Sequence, residues 1–123
     1  MTVLGFDHVQ LAMPPDREVE ARAFYVGLLG LEELAKPSEL AGRGGAWFKC
    51  GELQLHLGVE RQFLAAKKAH PALRVTDLKG LVETLSGAGC AVTEDTTVPN
   101  IRRAFTEDPF GNRIELVQVE RVL

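Results

Sequence analysis

The sequence predicts an α+β fold in which a single domain, residues 1–123, is assembled from two tandem modules of the order strand, helix, strand, strand, strand. Three observations carry that prediction. Two runs that open on a histidine, HVQLAM at 8–13 and HPALRV at 70–75, each lead into a helix-like stretch that closes on glycine. Short apolar-alternating runs separated by turn signals then follow in the same succession in both halves. Finally, the spacing recurs: His8 and His56 lie 48 residues apart (56 − 8), and His70 and Glu115 lie 45 apart (115 − 70). The modules are expected at 1–60 and 70–123, joined by a linker at 61–69.

FDHVQLAM (6–13) alternates apolar and polar side chains and reads as the first strand. PPDREVEARAFYVGLLG (14–30) begins with prolines and acids and ends on Gly30, the start and stop signals of a helix, with Val19, Ala23, Phe24 and Leu28 as its apolar face. LEELAK is a short strand, GRGG (42–45) a flexible loop that could cover a site, and AWFKC and LQLHLGVE flank Gly51-Glu52 as a hairpin. ERQFLAAKKA (60–69) is a short helix or linker whose Lys67-Lys68 pair reads as solvated surface. In the second half HPALRV is a strand. Thr76 or Asp77 can cap a helix carrying Leu78, Leu81, Val82 and Leu85, and Gly89 ends it. CAVTED is the next strand, and RRAFTE and RIELVQVE flank DPFG, a type I turn with proline second and glycine fourth.

Composition narrows the function classes. The chain is 46% hydrophobic and 25% charged, the balance of a soluble globular protein, and its net charge of −3 gives no pull toward nucleic acid or an anionic membrane. The start, MTVLGFDHVQ, has no basic and apolar export signal, and no apolar run has the length of a membrane span. Cys50 and Cys90 form no CxxC pair, which argues against a zinc knuckle or a disulfide framework and for a reducing cytoplasm.

Side-chain alternation sorts the strands into faces. His8, Gln10 and Ala12 share one face, as do Gln54, His56 and Gly58; His70, Ala72 and Arg74; and Arg113, Glu115 and Val117. The opposite faces are apolar and must lie under the helices. A lone strand histidine is ordinarily a packed or surface residue. Here all three histidines and Glu115 hold repeat-equivalent, same-face positions, which points to a metal or ligand site. Two histidines and one carboxylate suit Fe(II) and also accept Mn, Zn or Ni.

The paired modules, with DHVQLAM, HPALRV and especially DPFGNRIEL, resemble the vicinal oxygen chelate superfamily, the group of glyoxalase I, fosfomycin-resistance transferases, bleomycin-resistance proteins, extradiol dioxygenases and methylmalonyl-CoA epimerase. The resemblance covers nearly the whole chain. It implies two modules forming a U-shaped mixed sheet, helices on the convex side, around a divalent metal (Ni, Zn, Mn or Fe) that the substrate chelates through adjacent oxygens. Carried over by position, His8, His70 and Glu115 match the shared metal ligands, and Glu115 is also the expected catalytic proton carrier. His56, the fourth expected ligand, stands where glyoxalase I has a glutamate, a departure that sets this chain apart from glyoxalase I itself. Gln10, Trp47, Arg74, Arg103 and Phe105 are expected to line the substrate site. Arg74, Arg103 and Arg113 are the cations a phosphonate substrate would need.

The expected function is a metal-dependent glyoxalase-like enzyme: a lyase, isomerase or thiol transferase acting on a small molecule. The alternatives are a metal-free binding protein that sequesters a drug or metabolite, or a small extradiol dioxygenase-like protein. A cytoplasmic homodimer is expected, with no nucleic-acid or membrane partner.

Overall fold

In the computed structural model, which describes residues 1–120, the chain forms two compact units, one spanning Met1–Leu64 and the other starting at Ala65. The end of the expected second module, 121–123, lies outside the described residues. The first unit runs β1 (His8–Met13), α1 (Glu18–Arg22), β2 (Glu32–Leu34), β3 (Ala46–Cys50) and β4 (Leu53–Val59). The second runs β5 (Ala72–Val75), α2 (Leu78–Gly87), β6 (Val92–Asp95), β7 (Arg103–Glu107) and β8 (Arg113–Gln118). Each builds a four-stranded mixed sheet, ordered β1-β4-β3-β2 and β5-β8-β7-β6. The first strand of each unit pairs parallel to its last, and the other pairings are antiparallel. This is the tandem βαβββ order expected from the repeat.

The helices differ from expectation in detail. The first begins at Glu18, because Pro14-Pro15 and Asp16 (φ +64°) form a turn, and after Arg22 its winding widens over Ala23–Leu28. Leu29 N–H there donates to the Phe24 carbonyl five residues back. Its inner face is Ala21, Phe24 and Tyr25, with Leu28 half-buried, at the i, i+3, i+4, i+7 spacing of one helical stripe. Val19 and Ala23 fall off that stripe and are exposed, which corrects the face read from the sequence. Tyr25 stacks on Phe48 of β3 with ring centroids 5.3 Å apart, so helix and sheet share one core with Met13, Ala46, Leu55 and Leu57. In the second unit Asp77 caps α2 by accepting from Gly80 N–H, and Leu78 and Leu85 pack inward with Ala104, Ile114 and Leu116. Gln118, at the end of β8, accepts a further hydrogen bond from Leu78 N–H (2.8 Å) and so satisfies another free donor of that helix end.

Three loops are more ordered than the sequence suggests. GRGG is a pinned turn: Lys36 Nζ donates to the Gly44 carbonyl, and Gly45 N–H donates to Glu18 Oε2 (3.1 Å). Gly45 has φ +83°, and a Cβ there would lie 2.1 Å from the Leu57 carbonyl oxygen, so the strand edge leaves room for glycine alone. Residues 60–69 form no helix: Glu60 N–H donates to the Met13 carbonyl of the first unit, while in the second Ala66 N–H donates to Asn112 Oδ1 and its carbonyl accepts from Arg113 N–H. Lys67 is exposed, as expected, and its Nζ donates to Glu107 Oε1 and to the Gly111 carbonyl. In DPFG, Gly111 N–H closes the turn on the Asp108 carbonyl. The buried Asp108 carboxylate accepts from Phe110 N–H, Asn112 N–H and Asn112 Nδ2.

Gly45→Ala should therefore destabilise the protein by about 2 kcal/mol or more, since it meets both a left-handed backbone and a carbonyl clash. Asp108→Ala should cost about 3 kcal/mol by stranding buried donors. Urea unfolding of each variant, with the m-value unchanged, checks both numbers.

Candidate functional site

In the first unit the polar face of the sheet is set by register. β1 lies beside β4 with His8 opposite Gln54, Gln10 opposite His56 and Ala12 opposite Gly58, while β3 puts Trp47 opposite His56. His56 is buried between two rings, the Trp47 indole at 3.9 Å and 3° and the His8 imidazole at 4.3 Å and 18°. Its Nε2 lies 2.8 Å from Gln54 Oε1, an acceptor, so Nε2 carries the proton and Nδ1 keeps its lone pair. Burial, reinforced by the neighbouring His8 and opposed by Asp7, pulls the His56 pKa below the usual imidazole range and keeps the ring neutral. His8 Nδ1 lies 2.9 Å from Asp7 Oδ2, a carboxylate that favours the proton on Nδ1 and leaves the lone pair on Nε2. The Gln10 side chain lies over Gly58, where a Cβ would be 2.6 Å from its amide nitrogen. On β3, burial pushes the Cys50 thiol up and so keeps it protonated.

In the second unit β5 begins at Ala72, so His70 lies just ahead of the strand rather than in it. The physical reason is Pro71, which has no N–H for the ladder, although its carbonyl accepts from Glu115 N–H (3.0 Å). That bond anchors the segment, and His70 reaches Glu115 directly. His70 Nε2 is 2.9 Å from Glu115 Oε1, with both side chains largely covered (24% and 12% exposed). The other ring nitrogen, Nδ1, is 2.8 Å from the Lys68 carbonyl. A carbonyl only accepts, so Nδ1 holds the proton, and in the neutral ring the Nε2 lone pair would face a carboxylate oxygen. At 2.9 Å the two atoms can share one proton or bind one metal ion. The donor set fits a divalent metal: a neutral imidazole nitrogen, oriented by a carbonyl at its far side, next to a carboxylate.

Around this pair the second sheet collects charge. Arg103 donates Nε and Nη2 to Asp95 Oδ2 (3.1 and 2.8 Å) and approaches Glu115 Oε2 with Nη1 at 3.4 Å. Bonds from Thr97 N–H and Oγ1, and then Arg103, hold the Asp95 carboxyl below the usual carboxylate range; Asp95 in turn raises the Arg103 guanidinium. Phe105, opposite Glu115 in the β7–β8 register, takes the His70 ring edge-on at 5.6 Å. Arg74 is exposed on the same face, beside Val117.

The structure thus brings the expected ligands together as two pairs, His8 with His56 and His70 with Glu115. Among the described residues no group of three or more His, Cys, Asp or Glu side chains forms a ready metal cage. Asp7, Gln54 and Asp95 are site-shaping residues that sequence reading missed. Alternation places Gln54 and Asp95 on the polar faces, but only register shows that they meet His56 and Arg103.

Residues 5–116 match the family model of the Glyoxalase/Bleomycin resistance protein/Dioxygenase superfamily. A crystal structure of a protein from Bacillus anthracis assigned to the glyoxalase family is 46% identical, with a TM-score of 0.92 over 98% of both chains. The fold is shared at lower identity. A variant of the fosfomycin resistance protein FosX from Listeria monocytogenes, complexed with Mn(II) and 1S,2S-dihydroxypropylphosphonic acid, is 16% identical, with a TM-score of 0.79 over 97% of this chain and 93% of that one. A glyoxalase/dioxygenase from Nostoc punctiforme is 22% identical, with a TM-score of 0.76 over 96% and 92%. No curated protein matches the chain. From the family match along most of its length and the near-half identity to the Bacillus protein, the chain belongs to the Glyoxalase/Bleomycin resistance protein/Dioxygenase superfamily.

Proposed function

We propose that the chain is a metal-dependent enzyme of this superfamily, a lyase, isomerase or thiol transferase acting on a small substrate with vicinal oxygens. The observation that supports the reading is the His70–Glu115 contact, in which an imidazole nitrogen stands 2.9 Å from a carboxylate oxygen while the far ring nitrogen faces the Lys68 carbonyl, a donor pair that suits a divalent metal. His8, His70 and Glu115 are the ligands in this reading, and His56, neutral and with a free Nδ1, is the fourth. Nickel, zinc, manganese and iron all suit such a set. A divalent ion there supplies Lewis acidity toward the substrate's oxygen pair.

The chain's own groups do the rest. The Glu115 carboxylate is the group that would accept and return a proton, and Arg103, tethered by Asp95, orients its Oε2. Gln10, Trp47, Arg74, Arg103 and Phe105 are the substrate-contacting residues of this reading. The reading extends to a homodimer, the commonest closed assembly. It also extends to a cytoplasmic location, which the free Cys50 and Cys90 fit. No helix among the described residues is long and apolar enough to cross a membrane.

Purified without chelators, the protein should take up one of these metals at micromolar concentration, and His8→Ala or His70→Ala should lose it. Glu115→Gln should keep metal through its amide oxygen yet lose turnover by about 10²-fold or more, because an amide accepts no proton at neutral pH. His56→Gln should mainly weaken metal affinity. Elemental analysis and calorimetry read the metal, and a screen of hemithioacetals, fosfomycin with thiols, and catechols reads turnover. Protein that takes up none of the four metals would instead be the sequestering binder.

Trp47 is the chain's only tryptophan and lies against His56. Its emission should fall when Mn(II) or Ni(II) binds, and His8→Ala should remove that response. In sedimentation at tens of micromolar the protein should run as a dimer; a monomer alone would refute that part of the reading.

A further inference from the structure

We propose that the first unit carries a second ligand site, on the helix side of its sheet, that takes a small zwitterion of the α-amino acid type. The inference is independent of the metal reading, since none of its residues is one of the expected ligands.

The site is a cavity of about 510 Å³ where the start of α1, the end of β2 and the loop 36–45 meet. That is room enough for a small metabolite. Ala46, a buried core residue of β3, lines it, whereas the next residue, Trp47, which stacks on His56, does not. The cavity therefore opens on the side of the sheet away from the histidines. Five charged side chains line it, and their bonds sort them. Arg22 and Glu33 neutralise each other, with Arg22 Nε donating to both carboxylate oxygens (2.8 and 3.1 Å). Among the described residues Lys36 has no acid partner, and Asp16 has neither a hydrogen bond nor an ion pair. Glu18 accepts from Gly45 N–H alone.

Lys36 and Glu18 are held apart rather than paired. Lys36 Nζ donates to the Gly44 carbonyl, and Glu18 Oε2 accepts from Gly45 N–H at 3.1 Å. Those are the two ends of one trans peptide group, and they point in opposite directions. Ammonium and carboxylate thus stand roughly 8 Å apart, the width of a peptide plus a hydrogen bond at each end. An α-amino acid at neutral pH carries its own opposite charges about 3 Å apart, and a hydrogen bond at each end extends that to the same span of roughly 8 Å. The count of groups agrees as well. The three N–H donors of an ammonium meet Glu18 and Asp16, and the carboxylate takes the remaining donors of Lys36. Gly44, at φ +75°, keeps the approach clear, since a Cβ there would lie 3.4 Å from Glu18 Oε2. Leu34 and Ala41 form an apolar wall for a short side chain. A simple anion would face two free carboxylates and a simple cation a free lysine, so neither matches the whole site.

The test is calorimetric titration of the whole protein with glycine, L-alanine and L-leucine. Each is run beside its N-acetyl form, which lacks the ammonium, and its amide, which lacks the carboxylate. At least one amino acid should bind with a Kd below about 1 mM and about tenfold more tightly than either blocked form. Lys36→Gln should abolish the preference over the amide, and Glu18→Gln the preference over the N-acetyl form. Both side chains also hold the Gly44–Gly45 peptide, so Asp16→Asn separates binding from folding: it should keep the wild-type melting temperature and weaken binding by about threefold or more. His70→Ala should bind the amino acid as the wild type does. No binding by any of the three, blocked forms that bind equally, or full affinity in Asp16→Asn would overturn the proposal. Loss of binding in His70→Ala would overturn it too, by moving the amino acid to the polar face. The metal reading fails separately, if none of its metals binds, and that result leaves this site standing.

Discussion

The parallel pairing of first and last strand is the constraint from which the rest of each unit follows. Two parallel neighbours cannot be joined by a tight turn, so the chain must cross over, and the helix is part of that crossover on one face. The other face is then left to polar side chains. The same pairing sets who meets whom. β1 against β4 puts His8 beside Gln54 and within stacking distance of His56, and β5 against β8 seats Pro71 on Glu115, which brings His70 to its carboxylate. Side chains far apart in sequence become neighbours because they lie at the two ends of one module.

The two units use this shared plan with different electrostatics. In the first, the pair is neutral and ring-bound: His56 lies between Trp47 and His8, with an amide rather than an acid at its Nε2. In the second, the pair is salted, with Glu115 facing His70 on one oxygen and Arg103 on the other. A buried imidazole kept neutral is a lone-pair donor. A carboxylate held between an imidazole and a guanidinium is an acceptor fixed in place. Duplication supplied the positions, and the partners around them set what each pair can do.

The module order, the hairpin, the DPFG turn, the Asp77 cap and the four ligand-type residues could all be read from the chain, because each depends on local pattern: alternation, capping chemistry and turn residues. What was missed depends on distant partners. The face of the first helix was misjudged because Val19 is apolar but lies off the stripe that Phe24 and Tyr25 define against Phe48. The loop at 42–45 looked flexible from its glycines, yet Glu18 and Lys36 tie it down. Lys67 is exposed as its sequence suggests, but only the fold shows that Glu107 and Gly111 accept from it. Of the three arginines on the second sheet, sequence gave no means to tell the engaged from the unengaged, since that depends on Asp95 and Lys67 across neighbouring strands.

The end of β8 has a consequence for how the site can change. Glu115 faces outward to His70, Ile114 and Leu116 face the core, and Gln118 reaches the first turn of α2 at Leu78 and the Thr76 carbonyl. One short strand is thus a structural beam whose two sides cannot be adjusted independently. A slip of a single residue would turn Glu115 inward, bring two core side chains out to the polar face and uncap the helix in the same step. Such a strand admits change at its side-chain tips but not in its position. Variation along this strand must then come from side chains on its polar face, whose replacement leaves the ladder where it is.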